Sequence, residues 1–570
     1  MKKLIYLFTL ITLFFSSCQQ EPGPEYADLI LTNGNIYTVD ESNPAAEAIA
    51  VRGDRILKVG SAEEVAALQG DSTEVIDLEG QFLMPGFIEA HGHFAGLGGS
   101  LMNLNFLRSK NWDEIVAMVE EKVKESEPGE WIIGRGWHQE KWDQTPERNV
   151  LGYPFHNMLS EISPDNPVLL RHASGHGSFA NAKAMELAGI TAETPSPSGG
   201  EIVRDSRGQA IGMFEETAQR LLSGAYSEYR ATLSEEDKLK EWYKQIDLAQ
   251  QECLENGITS FQDAGSSYTT IERYKEMAEK GELDMRLWVM LRHGYDRMKD
   301  NMEGFPIIRA GNNFFTCKAI KTALDGALGP FGAWLLESYE DKTDFTGQNT
   351  VPMEEVSNIA QLAWDNNMQL CVHAIGDRAN RETLNIFEET FQNDPERTDH
   401  RWRVEHAQHI STEDIPRFKE MNVIASMQGI HCTSDAPYVI ARLGEERAQS
   451  GAYVWRSLLD LGVVVANGTD APVEDVSALE SFYASVTRIR RDNGQPFFPE
   501  QKMTRAEGIY SYTLANAYAA FEEDIKGSLE EGKLADMVVL SKDLINCNDD
   551  EILDTEVLMT FVGGELKYQK

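Results

Sequence analysis

The chain has 570 residues, with 52 lysines plus arginines against 92 aspartates plus glutamates and a formal net charge of −40 at pH 7. That balance excludes a bare nucleic-acid binder, which needs a basic face for phosphate. With 42% hydrophobic and 25% charged residues the chain is ordinary globular material, not a disordered polymer. Length suggests about three to four domains, and fewer if one barrel with insertions absorbs over ~400 residues.

Residues 1 to 18, MKKLIYLFTLITLFFSSC, put Lys2 and Lys3 before an apolar run from Leu4 to Phe15 and two small residues before Cys18. The run is shorter than the roughly 20 residues a membrane-spanning helix needs, and it reads as a secretion signal over 1–17. Its end, Phe15-Ser16-Ser17-Cys18, resembles the bacterial lipobox. The resemblance implies lipidation at Cys18, a short tether over 18–26 and a place in the bacterial cell envelope, at the periplasmic or outer-membrane face. An ordinary signal peptide with an incidental cysteine is the alternative. Anchoring would rest on acyl chains alone, because so acidic a chain has no attraction to anionic lipid. The other cysteines, Cys253, Cys317, Cys371, Cys432 and Cys547, are few, scattered and odd in number, which speaks against a disulfide framework.

From Ala27 to Leu83 short apolar runs alternate with turn signals, and similar material returns only after Gly532. Neither fragment buries a face alone, so 27–82 and 526–570 are expected to form one composite β-sandwich domain around a body over 83–525. Within that body one helix is plain: Ser234 and Asp237 cap it, Leu239, Trp242, Ile246, Ala249 and Cys253 repeat at helical spacing, and Asn256-Gly257 stops it. Buried-strand candidates begin at Phe82, Gly257, Met285, Cys317, Met368, Arg401, Asn422 and Gly462. Eight strands separated by helical material are the count of an α/β (β/α)8 TIM barrel, with an open doubly wound sheet as the alternative. The stretch over about 97–232 is too long for one crossover and is read as a folded insertion after strand one.

Barrel sites lie at strand C-termini, and there the sequence sets chemistry-bearing residues. Strand one ends in His91-Gly92-His93, where the period of two points both rings to one side. Lys321, His373, His406 and Asp470 fall on strands four, five, six and eight. Imidazoles and a carboxylate suit zinc and other first-row divalent ions. An ammonium repels a cation, so Lys321 fits such a set only when neutral or chemically modified.

The strings LMPGFIEAHGHF, AIKTALDGALG, CVHAIGDRA, RVEHAQ, ANGTDAPVE and GSLEEGKLADMVVL resemble the metal-dependent amidohydrolase superfamily, in the type 3 branch that includes N-substituted formamide deformylases. The likeness runs from about Ala27 to the end, through the insertion strings around Trp137, His176 and Glu216. It implies that Lys321 is carboxylated by CO2 and bridges two metal ions, one held by His91, His93 and Asp470 and the other by His373 and His406, with one or two Zn(2+) per chain. It implies hydrolysis of a C–N bond of a small-molecule amide by metal-activated hydroxide, with Asp470 as general base and then general acid. The rivals are a silent ligand-binding barrel lipoprotein and a related hydrolase of an ester, lactone or peptide. The expected partners are the substrate and, through the lipid anchor only, a membrane, with no nucleic acid; a homodimer is the assembly considered.

Weaker candidates carry two readings each. His431 is read as a substrate or oxyanion contact against loop packing, His176 as a pocket residue, and Trp137 and His138 as recognition against packing within the insertion. Asp263 and Asp325 either orient metal donors or cap local structure. Cys317 and Cys371, by strand parity with Lys321 and His373, face the barrel interior as thiols or soft ligands. Phe331, a substrate-contact candidate, stands where many relatives carry arginine, which argues for neutral or apolar N-substituents.

Overall fold

The computed structural model describes residues 26–139, 142–172, 177–197, 200–329 and 331–570, without the Glu216 side chain. The signal over 1–17, Cys18 and His176 lie outside the described residues. Eight parallel strands stand in chain order around a barrel: β1 (Phe87–Gly92), β2 (Ile258–Ser266), β3 (Arg286–Leu291), β4 (Phe315–Ala323), β5 (Gln369–Ala374), β6 (Arg403–His406), β7 (Ile424–Gln428) and β8 (Val465–Gly468). Runs such as RLWVML in β3 are buried on both faces, as parallel strands covered by helices must be.

The strand expected from Phe82 is in fact two. Phe82–Pro85 belongs to the terminal domain, and the chain enters β1 only after Gly86. A Cβ at Gly86 would lie 2.2 Å from Thr259 Cγ2, so the crossing between the two sheets needs glycine. Strand parity also fails in β4. An irregularity lies where Val289 and Met290 of β3 match Cys317 and Ala319. It sends Cys317 into the main core with Val289, while Ala319 and Cys371 pack with Trp288 and Met290 in a separate small cluster. Cys317 therefore leaves the interior set that parity assigned it.

β1 and β8 close on each other without a regular ladder. The Asp470 amide donates to the His91 carbonyl at 2.8 Å and the His93 amide to the Ala471 carbonyl at 2.7 Å. Four helices matter for the site: α1 (Phe94–Leu101), α2 (Glu235–Glu255), α3 (Gly429–Leu443) and α4 (Leu514–Ala519). From α4, Asn516 completes the seam, its Nδ2 donating to the carbonyls of Ile88 and Asn467 and its Oδ1 accepting from the Asn467 amide. In α2, Ser234 accepts the Asp237 amide at 3.0 Å, and Ile246, Ala249 and Cys253 are buried against the barrel.

The chain ends meet in the terminal domain, where Met537–Leu540 pairs antiparallel with Phe82–Pro85 in a six-stranded sheet. A four-stranded sheet holding Ala27–Thr32 packs over it, with Leu31, Ile49, Leu83, Met537 and Val539 between the layers. Each such side chain contributes about 1.5–3 kcal/mol of burial. The insertion builds its own six-stranded mixed sheet, including Ile132–Trp137 and Val168–His172. The five described cysteines are unpaired, and no described helix is long and apolar enough to cross a membrane.

Candidate metal centre

Two metal-donor candidates sit where the backbone leaves strand geometry: His406, the last residue of β6, has φ 74°, and Asp470, two residues beyond β8, has φ 59°. Positive φ is uncommon outside glycine and collects at functional sites. Donor atoms of His91, His93 and Asp470 lie within 4.8 Å of one another, as do those of His406, His431 and Asp470. His93 Nε2 is 3.3 Å and His91 Nε2 3.7 Å from Asp470 Oδ1. Lys321 Nζ is 3.3 Å from His91 Nε2, and the His373 ring centroid is 4.4 Å from that of His406. The structure thus brings all six candidates to one mouth of the barrel, together with His431.

Hydrogen bonds fix which ring nitrogen of each histidine is free. His91 Nδ1 meets the Glu405 carboxylate at 2.5 Å and His406 Nδ1 meets Gln428 Oε1 at 2.8 Å. Both partners only accept, so each Nδ1 carries the proton and each Nε2 keeps its lone pair. His431 is the reverse. Its Nδ1 lies 3.1 Å from the Gln408 amide nitrogen, a donor, which leaves Nε2 as a buried N–H with no hydrogen-bond partner among the described residues.

Burial lowers the His91 ring to about 4 and the His373 ring to about 3, and carries His406 well below its ordinary value, so all three are neutral at pH 7. Burial also lowers Lys321, against the pull of Glu405 and Asp470. Burial works to raise Asp470, but the His93 hydrogen bond and the nearby imidazoles hold it well below the usual carboxylate range. His373 Nε2 has no hydrogen-bond partner among the described residues, and Asp470 Oδ1 has none beyond the His93 Nε2 contact at 3.3 Å. Neutral imidazoles with free lone pairs, an ionised carboxylate and orphaned buried polar atoms fit a divalent ion.

Four buried carboxylates brace this set. Glu89 accepts the amides of His91 (3.1 Å) and Thr469 (2.8 Å), spanning the β1–β8 seam. Asp263 accepts the Phe94 amide, next to His93, at 3.0 Å. Asp325 accepts the amides of Trp334, Ile375 and Gly376, at the exit of the strand that carries His373. Glu405 orients His91 and is paired at 2.9 Å with buried Arg403. Sequence reasoning raised Asp263 and Asp325 but missed Glu89 and Glu405; both stand within the motif strings, and Glu405 directly precedes a metal-donor histidine.

Two substrate candidates change character. Trp137 is fully buried, donates Nε1–H to the Leu170 carbonyl at 3.0 Å and packs on Trp142 and Phe179, so it is core of the insertion and not recognition surface. Phe331 lies on the loop after β4, but a cation is not missing there: the Arg442 guanidinium stacks 4.0 Å over its ring and Lys342 Nζ lies 5.0 Å away.

A parallel eight-stranded barrel with these donors at its mouth is the architecture of a metal-dependent hydrolase. The chain belongs to the amidohydrolase family, whose model matches residues 74–568, and is a metal-dependent hydrolase acting on C–N bonds. It is 32% identical to the protein LONG AFTER FAR-RED 3 of Arabidopsis thaliana over 99% of this chain and 96% of that one. It is 29% identical to the N-substituted formamide deformylase of Arthrobacter pascens over 95% and 98% of the two chains. Among solved structures it resembles an uncharacterized metal-dependent hydrolase of Pyrococcus furiosus, with a TM-score of 0.71 and 26% identity over 91% of this chain and all of that one.

Proposed function

We propose that the protein hydrolyses the C–N bond of a small N-substituted amide or formamide, with zinc as its ion, Lys321 as a carbamate between two ion sites, and Asp470 as proton carrier. The observation that carries this is the convergence of neutral His91, His373 and His406 on ionised Asp470, beside Lys321 Nζ at 3.3 Å from His91. The likeness to a formamide deformylase supports the choice of bond.

A bound divalent ion supplies Lewis acidity and a water of lowered pKa. Asp470, held ionised among the histidine donors, takes the proton of the attacking water and hands it to the leaving nitrogen. His431 donates its free Nε2–H to the carbonyl oxygen as negative charge builds there. His176 and the ring of Phe331 complete the substrate contacts in this reading.

The test combines elemental analysis with turnover on a panel of small amides and formamides, with and without chelator. The parent is expected to hold about two equivalents of metal, as two-metal hydrolases do. Lys321→Ala is expected to lose metal, and Asp470→Asn to lose turnover. Unchanged metal in the first variant overturns the carbamate, retained turnover in the second overturns the proton role, and a loaded parent that cleaves no member of the panel overturns the bond assignment.

A further inference from the structure

Between the insertion and the barrel lies a cleft of about 1040 Å³ that none of the metal-centre donors lines. In a chain of net charge −40 its wall is cationic: Lys122, Arg135, Arg171, Arg230, Lys240 and Lys244 stand against Glu130, Asp237 and Glu241. The acids are already committed. Glu241 pairs with Arg230, Asp237 accepts the Ser234 hydroxyl, and Glu130 accepts the Glu127 amide. Of the cations, Lys240 pairs with Glu236, Lys122 with Glu125, and Arg135 donates to the Pro472 carbonyl. Arg171 and Lys244 make no side-chain hydrogen bond or ion pair among the described residues.

The register sharpens this excess. Arg135 and Arg171 are direct partners on neighbouring parallel strands, and both line the cleft. Like charges side by side on a sheet repel, and a guanidinium without an anion leaves its planar fork of donors unused. The period of two along the same strands puts Trp131 and Ile133 on the same face as Arg135. Tyr226 and Tyr229 close over Trp131, with ring centroids 5.4 Å and 6.5 Å away. The floor is thus apolar and aromatic at one end and doubly basic at the other. We infer that the cleft is a separate binding site for a small organic anion, whose carboxylate or phosphate lies against Arg171, beside Arg135 and facing Lys244, and whose flat apolar body lies on Ile133, Tyr226 and Tyr229.

Isothermal titration of the intact, metal-loaded chain with benzoate, with phenyl phosphate and with neutral benzyl alcohol tests this. Saturable binding of at least one anion is expected, with the tighter of the two identifying the head group and with no comparable binding of the alcohol. Arg171→Glu and Lys244→Glu are each expected to weaken it about tenfold or more, as loss of a charge-assisted contact does. Both side chains are exposed, so both variants should fold, and Lys244→Glu carries the test if Arg171→Glu melts early. Absence of binding at millimolar anion overturns the site. Affinity unchanged from the parent in both variants also overturns it, by assigning the anion to the metal centre, and so does equal binding of the alcohol.

Discussion

Glu405 decides which nitrogen of His91 faces the metal centre. Its carboxylate accepts the Nδ1–H hydrogen bond at 2.5 Å and is held ionised by Arg403 and the histidine against a burial that works to raise it. Such partners fix tautomer and ring orientation, and their loss typically weakens metal binding about 10- to 100-fold. Glu405→Gln keeps the shape and removes the charge, so competition against a chelator is expected to show weaker metal binding in that range, and equal affinity would refute the role. The donors themselves were legible because each ends a short apolar run, where histidine or aspartate stands out. Glu405 was not, because strand alternation sets neighbouring residues on opposite faces, whereas the positive φ at His406 turns both toward the centre. The aromatic character of Trp137 was legible, but its burial is decided by contacts with Leu170 and Phe179 that lie far along the chain.

At the scale of elements, the position of His93 depends on how closely α1 lies on α2. A Cβ at Gly98 would come 1.7 Å from the Gln245 carbonyl oxygen and 2.5 Å from its carbon, so the helices approach backbone to backbone there. Gly98→Ala gains helix propensity, but overpacking of this kind costs about 1–3 kcal/mol, and the clash is with main chain that has no rotamer to yield. Urea unfolding is expected to show a loss of that size, with a weaker metal site because α1 starts directly after His93. Unaltered stability would mean that the helices part freely. Sequence periodicity showed α2 with its cap and stop in place, since these are local signals. It did not show the break at Gly86 or the irregularity before Ala319, because both arise where one sheet meets another strand's register.

For the whole molecule, the ends that meet in the terminal domain and the eight strands between them could be read from local composition, whereas barrel closure could not. The seam depends on Glu89 reaching Thr469 and on Asn516 bridging Ile88 and Asn467, side-chain bonds between residues 49 to 428 apart in the chain. The same burial that builds this core sets a pH limit on its stability. His409 is buried, neither ring nitrogen has a hydrogen-bond partner among the described residues, and burial lowers its value to about 3. In the unfolded chain the ring takes up a proton near pH 6.5. Between about pH 6.5 and 3 the unfolded state therefore binds the extra proton, and stability falls as pH falls, by about 1.4 kcal/mol per unit from this group. Above pH 6.5 both states hold the ring neutral and its contribution is fully present. Glu89, raised by burial to about 8, works in the opposite direction, so the absolute profile mixes both signs and the informative quantity is a difference between variants. His409→Leu removes the ring but not Glu89. Urea unfolding of parent and variant at pH 7 and pH 5.5 is expected to show the parent losing about 1 kcal/mol more than the variant over that interval. Parallel losses in the two proteins would mean that His409 finds a partner for its charge when the folded chain is acidified.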